Sequence, residues 1–144
     1  MLVDHHKKLD WIIRFSLLHD LVKGLGYIHY SALTCHSRLT SKCCYVDARF
    51  VLKVADYGLP SFFELSVAEM WASKREVNYY ADMLWTAPEQ MRVEVAFGRN
   101  VAPPPTRSGD IYSFGIILQE TMLRLPPFGM YGAMSAEGTD YILI

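Results

Sequence analysis

The stretch CHSRLTSKCCYVD, residues 35–47, concentrates the side chains of this chain that could do chemistry. It combines three cysteines with a histidine, two cationic residues and several hydroxyls. Thiolates and imidazole are zinc ligands, and a histidine among hydroxyls and carboxylates can take part in group transfer. The stretch could therefore bind a metal, carry out a reaction or only hold a shape.

A zinc site formed by Cys35, His36, Cys43 and Cys44 is the first of these alternatives. Structural zinc sites place the two ligands of a pair two to four residues apart, whereas Cys43 and Cys44 are adjacent. Adjacent side chains of an extended segment point to opposite faces, so both sulfurs cannot easily reach one ion. The spacing favours small buried thiols over a metal site, and we predict no metal site.

The composition predicts one soluble, globular domain. Of the 144 residues, 51% are hydrophobic and 20% are charged, which is enough to form a packed core. A net charge of -1 gives no electrostatic reason to expect nucleic acid as a partner. No run approaches the roughly 18 apolar residues of a membrane span. An odd number of cysteines, two of them adjacent, suits a reducing compartment, so we expect a cytosolic segment.

Periodicity predicts a mainly α fold with a short β-hairpin. Apolar residues recur at helical spacing from Leu9 to about Tyr30, with Asp10 as a candidate N-cap. The apolar stripe is broad, which predicts burial over much of this helix. "CYV" and "FVLKVA" read as two strands joined through residues 47–49.

The second half of the chain predicts two more helices. Pro88 could open a short helix in "LWTAPEQMRVEV", and the prolines of "VAPPPTRSG" favour an extended surface loop. The run "DIYSFGIILQETMLRL" predicts a helix of the core, with Asp110 in the cap position.

This order of segments resembles the C-terminal lobe of protein kinases. His36 corresponds to the histidine of the kinase catalytic loop, "DYG" at 56–58 to D-F-G, and "APE" at 87–89 to the motif that closes the activation segment. More narrowly, "LW" before "APE" and the helix "GDIYSFGIILQE" resemble the kinase-homology domain of membrane receptor guanylate cyclases. This resemblance extends over residues 9–124.

The resemblance implies a catalytic loop without its chemistry. Kinases place an aspartate base two residues after the histidine, and this position is Arg38, which is permanently cationic. The loop lysine is replaced by Thr40. The magnesium-binding asparagine is replaced by Cys43, a poor ligand for a hard cation. Asp56 alone remains of the metal-binding pair, as a weak cofactor-binding residue.

Five positions are instead implied to be structural. His36 would pack beneath the loop, and Asp110 would accept the loop's backbone amides. Tyr57 replaces the usual phenylalanine, so its hydroxyl needs a partner or water. Gly58 completes the turn after Asp56. Glu89 pairs in kinases with an arginine of a later helix, and its role in this chain stays open.

The resemblance also implies what surrounds the chain. Residues 1–144 would form an incomplete C-terminal lobe, with the N-terminal lobe and the last helices absent. The chain would be a regulatory pseudokinase segment of a receptor guanylate cyclase, itself catalytically inert. It would relay receptor and ATP state to a cyclase domain that makes cyclic GMP from GTP.

ATP and Mg²⁺ are the implied cofactors. The implied partners are the rest of the same receptor chain, in a homodimeric, single-pass plasma-membrane parent. Two alternatives stay open. One is an active protein kinase fragment that uses another base, and the other is a truncated gene product without a function of its own.

Overall fold

The computed structural model of the chain describes residues 9–57, 83–97 and 105–129. In these ranges lie three helices, a two-stranded antiparallel sheet and two 3₁₀ turns. This content confirms the predicted mainly helical fold with a short hairpin. The elements in chain order are helix α1 (Trp11–Tyr30), a 3₁₀ turn (Ser41–Cys43), strand β1 (Cys44–Val46), strand β2 (Leu52–Val54), a 3₁₀ turn (Met83–Trp85), helix α2 (Pro88–Phe97) and helix α3 (Arg107–Leu123).

Helix α1 forms where its apolar periodicity predicts, but the predicted side-chain cap at its N-terminus is absent. Asp10 occupies the N-cap position with an extended backbone, and its side chain makes no capping hydrogen bond. The prediction of a carboxylate cap was therefore wrong. The carbonyl of Asp10 accepts the first hydrogen bond of the helix, from the amide of Arg14 at 3.1 Å. At the other end, the amide and the hydroxyl of Ser31 both donate to the carbonyl of Ile28.

One face of α1 is buried, and the predicted burial around most of the helix is not observed in the described part of the chain. Among the described elements, β2 and α3 pack against this buried face. It consists of Leu17, Leu18, Leu21, Leu25 and Ile28. The exposed side carries large apolar residues at Trp11, Ile12, Phe15, Val22, Tyr27 and Tyr30.

The hairpin pairs Cys44 with Val54 and Val46 with Leu52. Its turn is closed by Asp47, whose amide donates to the carbonyl of Val51 at 3.0 Å. Phe50, which the sequence placed in the second strand, has φ of 60° and belongs to the turn. The strand begins at Leu52 instead.

Helix α3 begins at Arg107, and its N-cap is Thr106 rather than Asp110. The Thr106 hydroxyl accepts from the amide of Gly109 at 3.0 Å. Asp110 lies one turn later, so its predicted cap position was wrong. The core of the described residues lies between α1, α3, the loop before β1 and the turn at Trp85. Its buried members are Leu21, Leu25, Leu39, Trp85, Ile116 and Ile117.

None of the helices in the described ranges is both long enough and apolar enough to cross a membrane.

Candidate functional site

The loop at residues 35–43 is held in place by the carboxylate of Asp110. One carboxylate oxygen, Oδ2, accepts from the backbone amide of His36 at 2.7 Å, and Oδ1 accepts from the amide of Ser37 at 2.9 Å. The imidazole Nε2 of His29 also lies 2.8 Å from Oδ2. Asp110 is only 2% exposed, so these charge-assisted bonds are made away from competing water. The start of α3 therefore fixes the loop backbone.

Arg107, in the same first turn of α3 as Asp110, binds the segment that leads from α1 to the loop. The guanidinium of Arg107 donates through Nη2 to the carbonyl of His29 at 2.7 Å and through Nε to the carbonyl of Thr34 at 3.1 Å. The carbonyl of His29 is one of those left without a helical partner at the end of α1. Sequence reasoning missed Arg107, because an arginine beside a proline-rich run gives no local sign of such distant partners.

The ring of His36 connects the loop to the residue before "DYG". Its Nε2 donates to the carbonyl of Ala55 at 2.9 Å, and its Nδ1 accepts from the amide of Arg38 at 3.4 Å. These partners assign the tautomer with the proton on Nε2. Burial by itself lowers the pKa of His36. Hydrogen bonding with Cys43 and Ala55 and the nearby negative charge outweigh burial, so the pKa is raised.

Thr40 and Cys43, two of the positions where the resemblance predicts that kinase residues are replaced, lie in contact. The sulfur of Cys43 is 3.5 Å from the Thr40 hydroxyl and donates to the carbonyl of Arg38 at 3.4 Å. Burial raises the pKa of the Cys43 thiol, but its interactions with His36 and Thr40 outweigh this effect, so the pKa is lowered. Cys43 thus stabilises the loop from inside, through its contacts with Thr40 and the carbonyl of Arg38.

Arg38, the third position where the resemblance predicts a replacement, is exposed. A guanidinium is a permanent cation and cannot take a proton from a hydroxyl. Two nearby acids in the described part of the chain accept hydrogen bonds from backbone amides. Asp47 accepts from the amides of Arg49 and Val51, and Asp20 accepts from the amide of Leu52.

Asp56 and Tyr57 lie at the exposed edge of the loop. Asp56 has φ of 62°, and the ring of Tyr57 meets that of His36 edge-on at 6.3 Å between centroids. Tyr57 is 42% exposed, so water can reach it. Gly58 lies outside the described residues.

These residues do not fit the magnesium site of a kinase. The partner position of Asp56 is filled by the buried Cys43 thiol, a soft ligand whose proton goes to a carbonyl. The structure likewise does not assemble the zinc alternative. Cys43 donates to the carbonyl of Arg38 and Cys44 to that of Thr40, and all three cysteines are free thiols. Among the described residues, no group of three or more histidine, cysteine or acidic side chains could hold a metal ion.

A buried acid that sequence reasoning did not single out lies behind the loop. Glu120 of α3 is 3% exposed. Its Oε2 accepts from the indole Nε1 of Trp85 at 2.9 Å, and its Oε1 accepts from the hydroxyl of Ser41 at 3.3 Å. Burial raises its pKa to about 7, against the lowering effect of these two hydrogen bonds. The signal in the sequence was an acid within the apolar run "GIILQETML".

The remaining predicted position, Glu89, is exposed in the first turn of α2. The segment before it is joined to α3, since the hydroxyl of Ser113 donates to the carbonyl of Trp85 at 2.7 Å. The loop, the Trp85 turn and α3 therefore form one connected unit. The sequence profile of the protein tyrosine and serine/threonine kinase family matches residues 1–137. The chain belongs to this family.

Comparison with individual proteins shows which members of the kinase family this chain is similar to. The chain is 47% identical over 126 residues to receptor-type guanylate cyclase gcy-28 of Caenorhabditis elegans, covering 85% of this chain and 9% of the relative. It is 47% identical over 124 residues to human atrial natriuretic peptide receptor 2, covering 86% and 11%. With human retinal guanylyl cyclase 2 the identity is 42% over 141 residues, covering 95% and 11%.

The predicted resemblance to the kinase-homology region of receptor guanylate cyclases is thus confirmed. The chain spans about a tenth of the length of these relatives. The buried contacts of His36 and Asp110 hold the loop in shape.

Proposed function

We propose that the chain is a regulatory, catalytically inert part of a receptor guanylate cyclase. Residues 1–144 would belong to the C-terminal lobe of its kinase-like domain. This domain would pass the state of the receptor, and of ATP bound to the domain, to a cyclase domain that forms cyclic GMP from GTP. A nucleotide can act in this way only through different affinities for two domain arrangements.

The observation that carries the proposal is the contrast between Arg38 and Asp110. A guanidinium stands where proton abstraction needs a carboxylate, so the loop lacks its base. The buried carboxylate that shapes the loop still accepts two backbone amides. A loop kept in shape without its reaction supports a role in conformational signalling.

The surroundings of the chain are part of the same proposal. Its partners would be the remaining domains of the receptor chain, in a homodimeric, single-pass plasma-membrane protein with this segment in the cytosol. ATP would be held mainly by groups other than Asp56, since one exposed carboxylate is a weak magnesium ligand. The receptor names of the relatives support this assignment.

A phosphoryl-transfer assay tests the inert loop. We expect no transfer from labelled ATP to generic protein substrates by the complete kinase-like domain that contains this sequence. Arg38→Asp alone should not create activity, because Thr40 and Cys43 still lack the lysine and asparagine roles. Transfer that Asp56→Asn abolishes would instead support the active-kinase alternative.

A cyclase assay tests the relay. In the full-length receptor, a non-hydrolysable ATP analogue should increase cyclic GMP formation from GTP, and Asp110→Asn should reduce this increase. Asp10→Asn, at an exposed carboxylate without a capping bond, is the matched control. Equal responses of the two variants, with both shown to be folded by circular dichroism, would contradict the relay. Cooperative thermal unfolding of the 144-residue chain would argue against a truncated product without function.

A further inference from the structure

The thiol of Cys43 lies next to a base whose ring is held in a fixed orientation. Its sulfur is hydrogen-bonded to the imidazole of His36. The Nε2 of this imidazole donates to the carbonyl of Ala55 at 2.9 Å, so the ring cannot turn freely. A nucleophile beside a base, with the base oriented by a third group, is the arrangement by which proteins activate a thiol. Cys43 therefore has the partners that a reactive cysteine needs.

The hydrogen bonds of the His36 ring leave one nitrogen for the thiol proton. With a proton on Nε2, the basic nitrogen is Nδ1. Nδ1 accepts from the backbone amide of Arg38 at 3.4 Å, which is longer than the roughly 3.2 Å of a good N–H hydrogen bond. The Cys43 thiol donates to the carbonyl of Arg38, also at 3.4 Å. Transfer of the thiol proton to Nδ1 thus exchanges two long contacts for one charge-assisted bond between imidazolium and thiolate.

Hydrogen-bond donors surround the sulfur of Cys43. The Thr40 hydroxyl lies 3.5 Å from it, and the backbone amide of Thr40 also donates to it. Donors favour the thiolate, which is the nucleophilic form of cysteine. The neighbouring Cys44 has the opposite environment, since its sulfur contacts the carbonyl of Thr40 at 3.7 Å. Burial, with Cys43 and Glu120 nearby, raises the pKa of Cys44 to about 12.

Access to the sulfur of Cys43 is narrow, which restricts the size of a reagent. Cys43 is 7% exposed, so a molecule little larger than water can reach it more easily than a bulky electrophile. Cys35 is shielded to the same extent, at 6% exposed, but its sulfur contacts the hydroxyls of Thr34 and Ser37. The chain therefore contains its own reference thiol, with equal burial and different partners.

We propose that Cys43 is a site of oxidation by hydrogen peroxide, with His36 as the base that takes the thiol proton. The sulfur attacks one oxygen of the peroxide, the O–O bond breaks, and Cys43 becomes a sulfenic acid. The thiol proton passes to Nδ1 of His36 and then to the second oxygen, which leaves as water. The site goes beyond the proposed function, because it depends neither on cyclase activity nor on nucleotide. Oxidation would replace the contact of the thiol with the Arg38 carbonyl, so the loop would respond to peroxide.

Oxidation of the folded 144-residue chain by hydrogen peroxide tests the site. After each exposure time the chain is unfolded in urea, and its sulfenic acids are trapped with dimedone. Trypsin separates Cys35 from the other two cysteines, and fragment ions of the peptide CCYVDAR distinguish Cys43 from Cys44. We expect Cys43 to be oxidised at least about tenfold faster than Cys35. In a chain unfolded before oxidation, the three rates should become similar. A folded chain in which Cys43 reacts no faster than Cys35 would overturn the proposal.

Two variants distinguish activation of the thiol from simple access. His36→Gln keeps an N–H group for the carbonyl of Ala55 but supplies no base, so the rate at Cys43 should fall to that at Cys35. Thr40→Val keeps the side-chain shape and removes the hydroxyl donor, so the rate should fall several-fold. This second variant keeps the test decisive if the glutamine variant does not fold.

The pH profile of the oxidation rate gives an independent measurement. The rate at Cys43 should level off below the pH of about 8.5 at which an unperturbed cysteine ionises. A difference in access alone would change the rate without moving this midpoint. A midpoint at or above pH 8.5 for Cys43, or an unchanged rate in both variants, would contradict activation by His36 and Thr40.

Discussion

The carboxylate of Asp110 binds the backbone amide of His36 across 74 residues of sequence, at 2.7 Å. Both residues are 2% exposed. The bond joins the first turn of α3 to the loop in which a kinase would hold its base. It explains how the loop that carries Arg38, Thr40 and Cys43 keeps its shape.

Asp110→Asn should destabilise the chain by roughly 2–3 kcal/mol. The amide side chain has a single acceptor oxygen, so its NH₂ group must face one of the two loop amides, and a buried donor loses its partner. Urea unfolding followed by circular dichroism measures the change. Asp10→Asn, at an exposed carboxylate, should change stability by less than about 0.5 kcal/mol. Equal stabilities of the two variants would refute the role of Asp110.

Gly24→Ala should also destabilise the chain, by roughly 1–3 kcal/mol. A Cβ at residue 24 would lie 2.9 Å from Cγ2 of Val54 in β2, and a β-branched side chain in a strand has little freedom to move away. The glycine therefore allows α1 to approach the hairpin closely. The same urea titration measures the effect.

Gly26 supplies the matched control two residues further along the same helix. A Cβ there meets nothing within 4 Å, so Gly26→Ala should stabilise the chain by about 0.5–1 kcal/mol through helix propensity. Destabilisation of similar size at both glycines would show that close packing against Val54 is not the reason for glycine at residue 24.

The helices and the hairpin could be predicted because their signals are local. Apolar spacing indicated α1 and α3, and β-branched residues flanked a polar turn at Asp47. The ends of the elements were harder to predict. Asp110 precedes the apolar run and resembles a cap, yet its carboxylate binds the loop, and Thr106 caps the helix instead.

The features that the sequence did not reveal depend on distant partners. The exposed side of α1 carries large apolar residues, as the buried side does, so apolar periodicity alone could not distinguish the two. Glu120 stood out only as an acid in an apolar helix, and its partners Ser41 and Trp85 lie in two other segments. The resemblance to kinases drew attention to His36 and Asp110, because both lie in segments that resemble kinase sequence motifs.

Cys43→Ala should lower the pKa of His36. Burial alone lowers this pKa, and hydrogen bonding with Cys43 is the largest of the effects that raise it. Proton NMR titration of the histidine ring resonances measures the shift. Cys35→Ala is the control, since the Cys35 sulfur contacts Thr34 and Ser37 instead. A shift of the His36 midpoint in the control, or none in Cys43→Ala, would contradict the pairing of His36 with Cys43.

Glu120→Gln should flatten the dependence of stability on pH. The pKa of Glu120 rises from 4.5 to about 7 on folding, so its contribution to stability is complete below pH 4.5 and is lost as the pH rises through about 7. At about 1.4 kcal/mol per pH unit, the loss approaches roughly 3 kcal/mol. The raised pKa of His36 acts in the same direction, but both proteins share it, so the difference between them isolates Glu120. Urea unfolding from pH 5.5 to 8.5 should therefore show the wild type losing stability relative to the glutamine variant. Parallel pH profiles would mean that Glu120 is already ionised in the folded chain near neutrality.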